Sequence, residues 1–251
     1  MTLPALAAPF PQAEIAALAE RAARAGGRRM ALLNRLGGTV ESRLKLLPEP
    51  VRAQVLAVTS AALARACGLA AHSTRLGRLG GRGHMALAGV TGAAGGLGGL
   101  ATAAAELPVT ITLILRAIHE VAADHGFDPA RPEVQREGLR VFASGSPLAA
   151  DDGVDTAFIG ARLTLTGPAL HSMIATVAPK LATALGQKLA AQTVPVLGAV
   201  AGAGLNLTFV DYYRDLAEVR FGLLRLAQAH DPQRVARAFA RAAGAGRLTA
   251  R

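Results

Sequence analysis

Few side chains in this sequence have a type and setting suited to chemistry, and Glu106 leads them. It stands between two apolar segments and just before Pro108, where a helix is expected to begin. A carboxylate at such a start is favoured by the helix dipole, worth roughly 0.3–1 kcal/mol, and this gives Glu106 a capping role. The sharper alternative is a buried anion. That would require a partner such as Arg116 or Lys188, because an isolated buried carboxylate is prohibitively costly. Asn206 interrupts a second apolar run and suits a hydrogen-bonded contact between helices rich in small residues. Glu106, Arg116, Lys188 and Asn206 are therefore the candidate polar cluster, with no catalytic residue assigned.

The remaining chemical residues argue mostly by exclusion. The histidines His72, His84, His119, His125, His171 and His230 form no HExxH motif and no close pair on one helix face. His119 and Glu120 follow Arg116 at i+3 and i+4, a polar face expected to be solvated. Asp151, Asp152 and Asp155 fail the EF-hand spacing and read as an acidic loop. Ser172 beside His171 lacks the G-x-S-x-G elbow of hydrolases. Residues 96–101 fit G-x-G-x-x-A in form, but no strand precedes them and no Gly-Lys-Ser/Thr follows, so neither a dinucleotide fold nor a P-loop is implied. No cofactor and no metal is expected.

The elements that must position these residues follow from spacing. Residues 12–25 and 49–67 show helical periodicity, the second with Pro50 in its first turn. A basic, glycine-rich link covers residues 72–84. Residues 85–105 then carry no charge, and five glycines fall within Gly92–Gly99. A helix over those 21 residues would span about 31 Å, close to the ~30 Å of a bilayer core. Glycine and alanine contribute little transfer energy, however. Small residues four apart explain the run better: Ala88, Gly92 and Gly96 form one row, Gly95 and Gly99 another, and Gly198 and Gly202 repeat the device. Such rows let helix backbones approach closely, which predicts a packed pair. Helices are further expected at 108–124, closed by a left-handed Gly126 with Phe127 beyond it, and at 132–143, 156–166, 168–190, 195–209, 211–229 and 231–243. No strand alternation stands out. The fold class is all-α: a multi-helix bundle with two Gly/Ala-rich, closely packed central helices.

Composition agrees. In 251 residues, hydrophobic types make up 51%, aromatics only 4%, and tryptophan is absent, so the apolar content is mainly small or aliphatic. Mean hydropathy is +0.34. The net charge of +10 is uneven: residues 1–83 carry 12 basic and 4 acidic groups, residues 84–162 carry 5 and 9, and residues 211–251 carry 8 and 4. The single Cys67 excludes an intramolecular disulfide and fits a reducing compartment. The first residues lack the basic start of a secretory signal.

A Gly/Ala-rich run, then Glu106-Leu107-Pro108, an aliphatic helix carrying Arg116, and the exit Gly126-Phe127-Asp128-Pro129 resemble the EcsC family of bacterial proteins. Lys188, Pro195-Val196-Leu197-Gly198 and Leu205-Asn206 resemble its C-terminal block. The resemblance spans roughly residues 45–230. It implies a helical, membrane-associated protein with no established reaction. The family often has Tyr at the position of His125, which argues against a catalytic role there. The division expected is a basic helical extension at 1–45, an EcsC-like helical domain at 46–230, and a basic C-terminal helix and tail at 231–251.

The expected function is that of a cytoplasmic accessory or regulatory protein peripheral to the inner membrane. Anionic lipid would be met by arginines near the two ends (Arg21, Arg24, Arg28, Arg29 and Arg35; Arg234, Arg237, Arg241, Arg247 and Arg251). A membrane transporter or another protein is the expected partner. Two spans with basic ends inside fit the charge layout less well than peripheral binding. The alternative is a soluble all-α enzyme or small-molecule binder with its pocket between the glycine-rich helices. Nucleic acid is disfavoured, because the arginines are spread along amphipathic helices and form no concentrated stripe with exposed aromatics.

Overall fold

The computed structural model describes residues 9–25, 49–73, 77–97, 99–144, 174–175, 177–178 and 197–249. Among them are seven helices and no strand: α1 (Gln12–Ala25), α2 (Glu49–Ser73), α3 (Gly80–Leu97), α4 (Gly99–Asp124), α5 (Pro132–Ala143), α6 (Leu197–Ala229) and α7 (Pro232–Thr249). The protein is an all-α bundle. α1 and α5 have the bounds that their periodicity predicts, since Ile15, Leu18, Ala19 and Ala22 recur on one buried face of α1. Gly126 takes φ +84 after α4. Its amide and that of Phe127 return to the carbonyls of Ala123 and Ala122, and Phe127 packs on Phe221 with ring centroids 5.5 Å apart.

Several expected boundaries differ: α2 runs on through Gly68 to Ser73, α7 runs on to Thr249, and three further differences bear on the site. Pro108 does not start a helix but lies inside α4, so Glu106 is an interior helix residue and caps no new helix at Pro108. A proline inside a helix costs about 3 kcal/mol. The burial of Leu107 on one side and the hydrogen bonds of Glu106 on the other hold the turn in place. The two helices expected at 195–209 and 211–229 are one, because neither glycine nor proline occurs between Leu205 and Phe221 to stop α6. The link expected over 72–84 is helical from Gly80 onward, and its bend is made by Gly77 and Gly80 at φ 104 and 62, values that favour glycine. The helices expected at 156–166 and 168–190 lie outside the described residues, apart from residues 174, 175, 177 and 178.

α6 is the spine. Gly81 lies against Arg214, Gly89 against Leu207 and Gly92 against Gly202, so α3 runs antiparallel to α6. A Cβ on Gly92 would overlap the Gly202 carbonyl, with its carbon only 2.7 Å away. The two backbones therefore touch there, and Ala88, Gly92 and Gly96 are all buried. The second row faces elsewhere: a Cβ on Gly95 would come within 3.0 Å of Cγ of Glu106, so Gly95 admits α4. Gly198 lies in α6 and Gly99 opens α4, both with side-chain surroundings outside the described set.

One core joins these helices to the others, and α1 contributes Ile15 and Leu18 while α7 contributes Val235 and Phe239. α5 is bound by charge as well. Glu137 accepts from Nε and Nη2 of Arg220 at 2.9 and 2.8 Å and pairs with Arg140 at 2.6 Å, with Glu137 and Arg220 both buried. Burial pushes the Glu137 carboxyl above its ordinary range, against the pull of the two arginines.

Gly92→Leu is expected to lower stability by about 1–3 kcal/mol through overpacking. Gly204→Ala, where a Cβ meets nothing within 4 Å, is expected to raise it by roughly 0.5–1 kcal/mol. Thermal unfolding followed by circular dichroism checks both; equal effects at the two glycines would contradict the close contact.

Candidate functional site: polar centres between α3, α4 and α6

Two polar centres sit where α3, α4 and α6 meet. The first is built on Glu106 of α4, which is 8% exposed. Asn206 of α6 donates from Nδ2 to its Oε1 at 2.7 Å, and the Thr110 hydroxyl, one turn along α4, donates to the same oxygen. Asn206 also reaches the Thr91 hydroxyl of α3 at 3.4 Å. Thr102 donates to the Gly95 carbonyl at 2.7 Å, fastening the start of α4 to the end of α3. Close approach makes this possible: Nδ2 of Asn206 lies 2.9 Å from where a Gly92 Cβ would be. Among the described residues the centre is a buried carboxylate that accepts from neutral side chains of two helices.

The second centre is built on Glu120, 5% exposed. Its Oε1 accepts the Leu79 amide at 2.9 Å and its Oε2 the Gly80 amide at 3.0 Å, so a side chain of α4 caps the N-terminus of α3. Arg116 stands 3.6 Å from Oε1 and donates to the Gly77 carbonyl at 2.7 Å. His84, with no exposed surface, places Nε2 3.1 Å from Oε2 but off the line of a hydrogen bond. Burial works to raise the Glu120 carboxyl, yet the two amides and His84 outweigh it and hold it below the ordinary range.

Of the four cluster residues, the structure brings Glu106 and Asn206 together. Arg116 is ten residues further along α4, about 15 Å at 1.5 Å per residue, and belongs to the Glu120 centre. Lys188 lies outside the described residues, as do Asp151, Asp152, Asp155, His171 and Ser172. Sequence reasoning missed Thr91 and Thr110, whose isolated hydroxyls carry no signal. It also took the Arg116–His119–Glu120 face as solvated, whereas His119 and Glu120 are buried. Gly138 of α5 lets the chain close on His119, a Cβ there falling 3.1 Å from Nε2. His125 donates from Nε2 to Glu218 at 3.0 Å, and Arg21 bridges Glu218 and Asp215 at 3.3 and 3.1 Å. His125 and Arg21 thus tie α1, α4 and α6 together. Among the described residues no group of three metal-ligating side chains occurs.

The family model for the EcsC protein family matches residues 72–225, more than half of the chain. The chain belongs to the EcsC protein family. No curated protein and no solved structure matches it. The EcsC match takes in α3, α4, α5 and most of α6, hence both polar centres and the glycine contact. α1 and α7 lie beyond it and pack on α6.

Removing the acceptor at Glu106 tests the first centre. Glu106→Ala leaves the Asn206 and Thr110 donors unsatisfied and is expected to cost about 1–3 kcal/mol in urea unfolding. Glu106→Gln keeps an acceptor and is expected to cost less; a loss from Gln as large as from Ala would contradict the assignment.

Proposed function

We propose that this EcsC-family protein is a membrane-associated helical accessory protein at the cytoplasmic face of the inner membrane. In this reading it meets lipid with one uncharged end of its α3–α4–α6 unit. The observation that carries it is the segregation of charge along α3 and the two helices, α4 and α6, that run antiparallel to it. Residues 85–105 and 189–210 are both free of charge. Pairing of Gly92 with Gly202, and of Gly95 with Glu106, sets the ends of all three helices side by side. Glu106 is the one charged residue in those ends, and it is buried among its donors. On their outer surface stand Leu87, Val90 and Leu97 of α3, Val109 of α4 and Val200 of α6, with Val90 68% and Val200 74% exposed.

Residues 197–210 of α6 measure about 21 Å, more than the ~15 Å of one leaflet and less than the ~30 Å of a whole hydrocarbon core. Entry into one leaflet needs no spanning helix. None of the described helices is long and apolar enough to cross a membrane, which removes the two-span arrangement among them. Helical backbones satisfy their own hydrogen bonds, as an apolar medium demands. Two of the terminal arginines are already engaged within the protein, while Arg24, Arg237 and Arg241 are exposed. Arg21 is engaged by Asp215 and Glu218, and Arg234 lies 4.1 Å over the Phe10 ring. Arg28, Arg29, Arg35 and Arg251 lie outside the described residues. A pocket between the glycine-rich helices is not favoured, because their backbones are in contact. A membrane transporter or another membrane protein is the partner class such a location brings within reach.

Co-sedimentation with vesicles of mixed neutral and anionic lipid tests this. The protein is expected to pellet with vesicles and to stay bound in high salt, as apolar insertion predicts. Val90→Asp with Val200→Asp is expected to abolish binding without loss of helicity, since both sites are exposed. Wild-type protein that remains in the supernatant, or a double variant that binds equally, overturns the reading.

A further inference from the structure

We infer that His84 is an acid-released latch, holding the first turn of α3 against α4 and α6 while its ring is neutral and releasing that turn when the ring takes a proton. The latch stands on its own geometry; its consequence for lipid contact rests on the membrane reading above.

The geometry is that of a fully buried ring with both nitrogens lacking a hydrogen bond among the described residues. A second proton on that ring must be matched by an acceptor. In the neutral ring Nε2 keeps its proton toward Oε2 of Glu120, 3.1 Å away, which already takes the Gly80 amide, so a second proton falls on Nδ1, which has no acceptor among the described residues. Protonation therefore buries a charged donor without an acceptor, a cost that opening of the turn relieves. The charged groups facing the ring are Glu120 and Arg116 from α4 and Arg214 from α6, whose guanidinium lies over Gly81. Complete burial makes the place hostile to another cation, and the two arginines offset part of the attraction of Glu120. Burial holds His84 below the usual histidine range, and the two arginines add to this against the pull of Glu120.

The direction of the pH effect follows. In an opened turn His84 would protonate near its ordinary value of about 6.5, whereas in the closed turn it resists until lower pH. The open form thus binds more protons as pH falls, so the closed turn has its full stability above about 6.5 and loses it progressively below. The helix so loosened is the one that carries Leu87, Val90 and Leu97. An anionic membrane surface concentrates protons, by about half a pH unit, which would favour release where the lipid is.

Hydrogen exchange of the amides from Gly80 to Met85, at about pH 5.5 and about pH 7.5 on either side of the ordinary histidine value, reads the latch without any vesicle. After correction for intrinsic exchange, the wild type is expected to open severalfold more at the lower pH, and His84→Gln is expected to lose that difference. Arg214→Gln removes one facing cation, so the closed ring resists its proton less, and the variant is expected to show a smaller rise in opening between the two pH values than the wild type, which keeps the test decisive should His84→Gln fail to fold. Equal pH dependence in wild type and His84→Gln, or an undiminished pH dependence in Arg214→Gln, overturns the latch. Vesicle binding measured over the same range separates the two ideas. An opening that follows pH while binding does not occur at any pH sinks the membrane reading and leaves the latch standing.

Discussion

The contact between Gly92 and the Gly202 carbonyl is the constraint on which the other features depend. Two helices touch there through their main chains, with no side chain between them. At a normal interaxial distance of 8–10 Å, set by intervening side chains, Asn206 would not reach across α3 to the carboxylate of Glu106. With the backbones in contact it does so at 2.7 Å, and Thr91 and Thr110 complete the centre. The same proximity lines up α3 and α6 along their length, setting Arg214 over Gly81 beside the Glu120 cap. Glycine costs each helix some intrinsic stability. That loss is offset where dispersion contacts and a satisfied buried carboxylate replace it.

α6 divides into two functional lengths. From Leu197 to Val210 it is uncharged and pairs with the equally uncharged end of α3. From Asp211 onward it gathers ionic contacts: Asp215 and Glu218 hold Arg21 of α1, Glu218 also meets His125, and Arg220 is held by Glu137 of α5. The charged length fastens the surrounding helices. Its uncharged length leaves Val200 exposed with Val90 and Leu97 nearby on α3. Polarity along the bundle axis thus separates the part that is cross-linked by charge from the uncharged part that exposes these apolar side chains. His84 lies at the border between them.

The all-α class and the close helix pair were legible because small residues four apart on two segments have a single economical use, backbone contact. Gly126 was legible too, since a left-handed residue before Phe127 has a local cause. The course of α4 was not. A proline ordinarily marks a first turn, and only the tertiary anchoring of Glu106 and Leu107 explains why the helix continues through Pro108. The unity of α6 was hidden by the polar residues after Val210, which serve as ion-pair partners and do not end the helix. Pairing of Glu106 with Asn206 could be guessed from two polar residues in apolar runs. Separation of Arg116 from them is a matter of helix length, and burial of Glu120 depends on an N-terminus supplied by another helix.

Cross-linking of paired cysteines tests the antiparallel register of α3 and α6 most directly. In a Cys67→Ser background, Gly89→Cys with Leu207→Cys is predicted to form a disulfide readily under mild oxidation, because a Cβ at Gly89 falls 3.8 Å from the Leu207 side chain. Gly89→Cys with Val200→Cys, displaced by about 10 Å along the helix, is predicted to form none. A folded protein that cross-links the second pair and not the first would contradict the account.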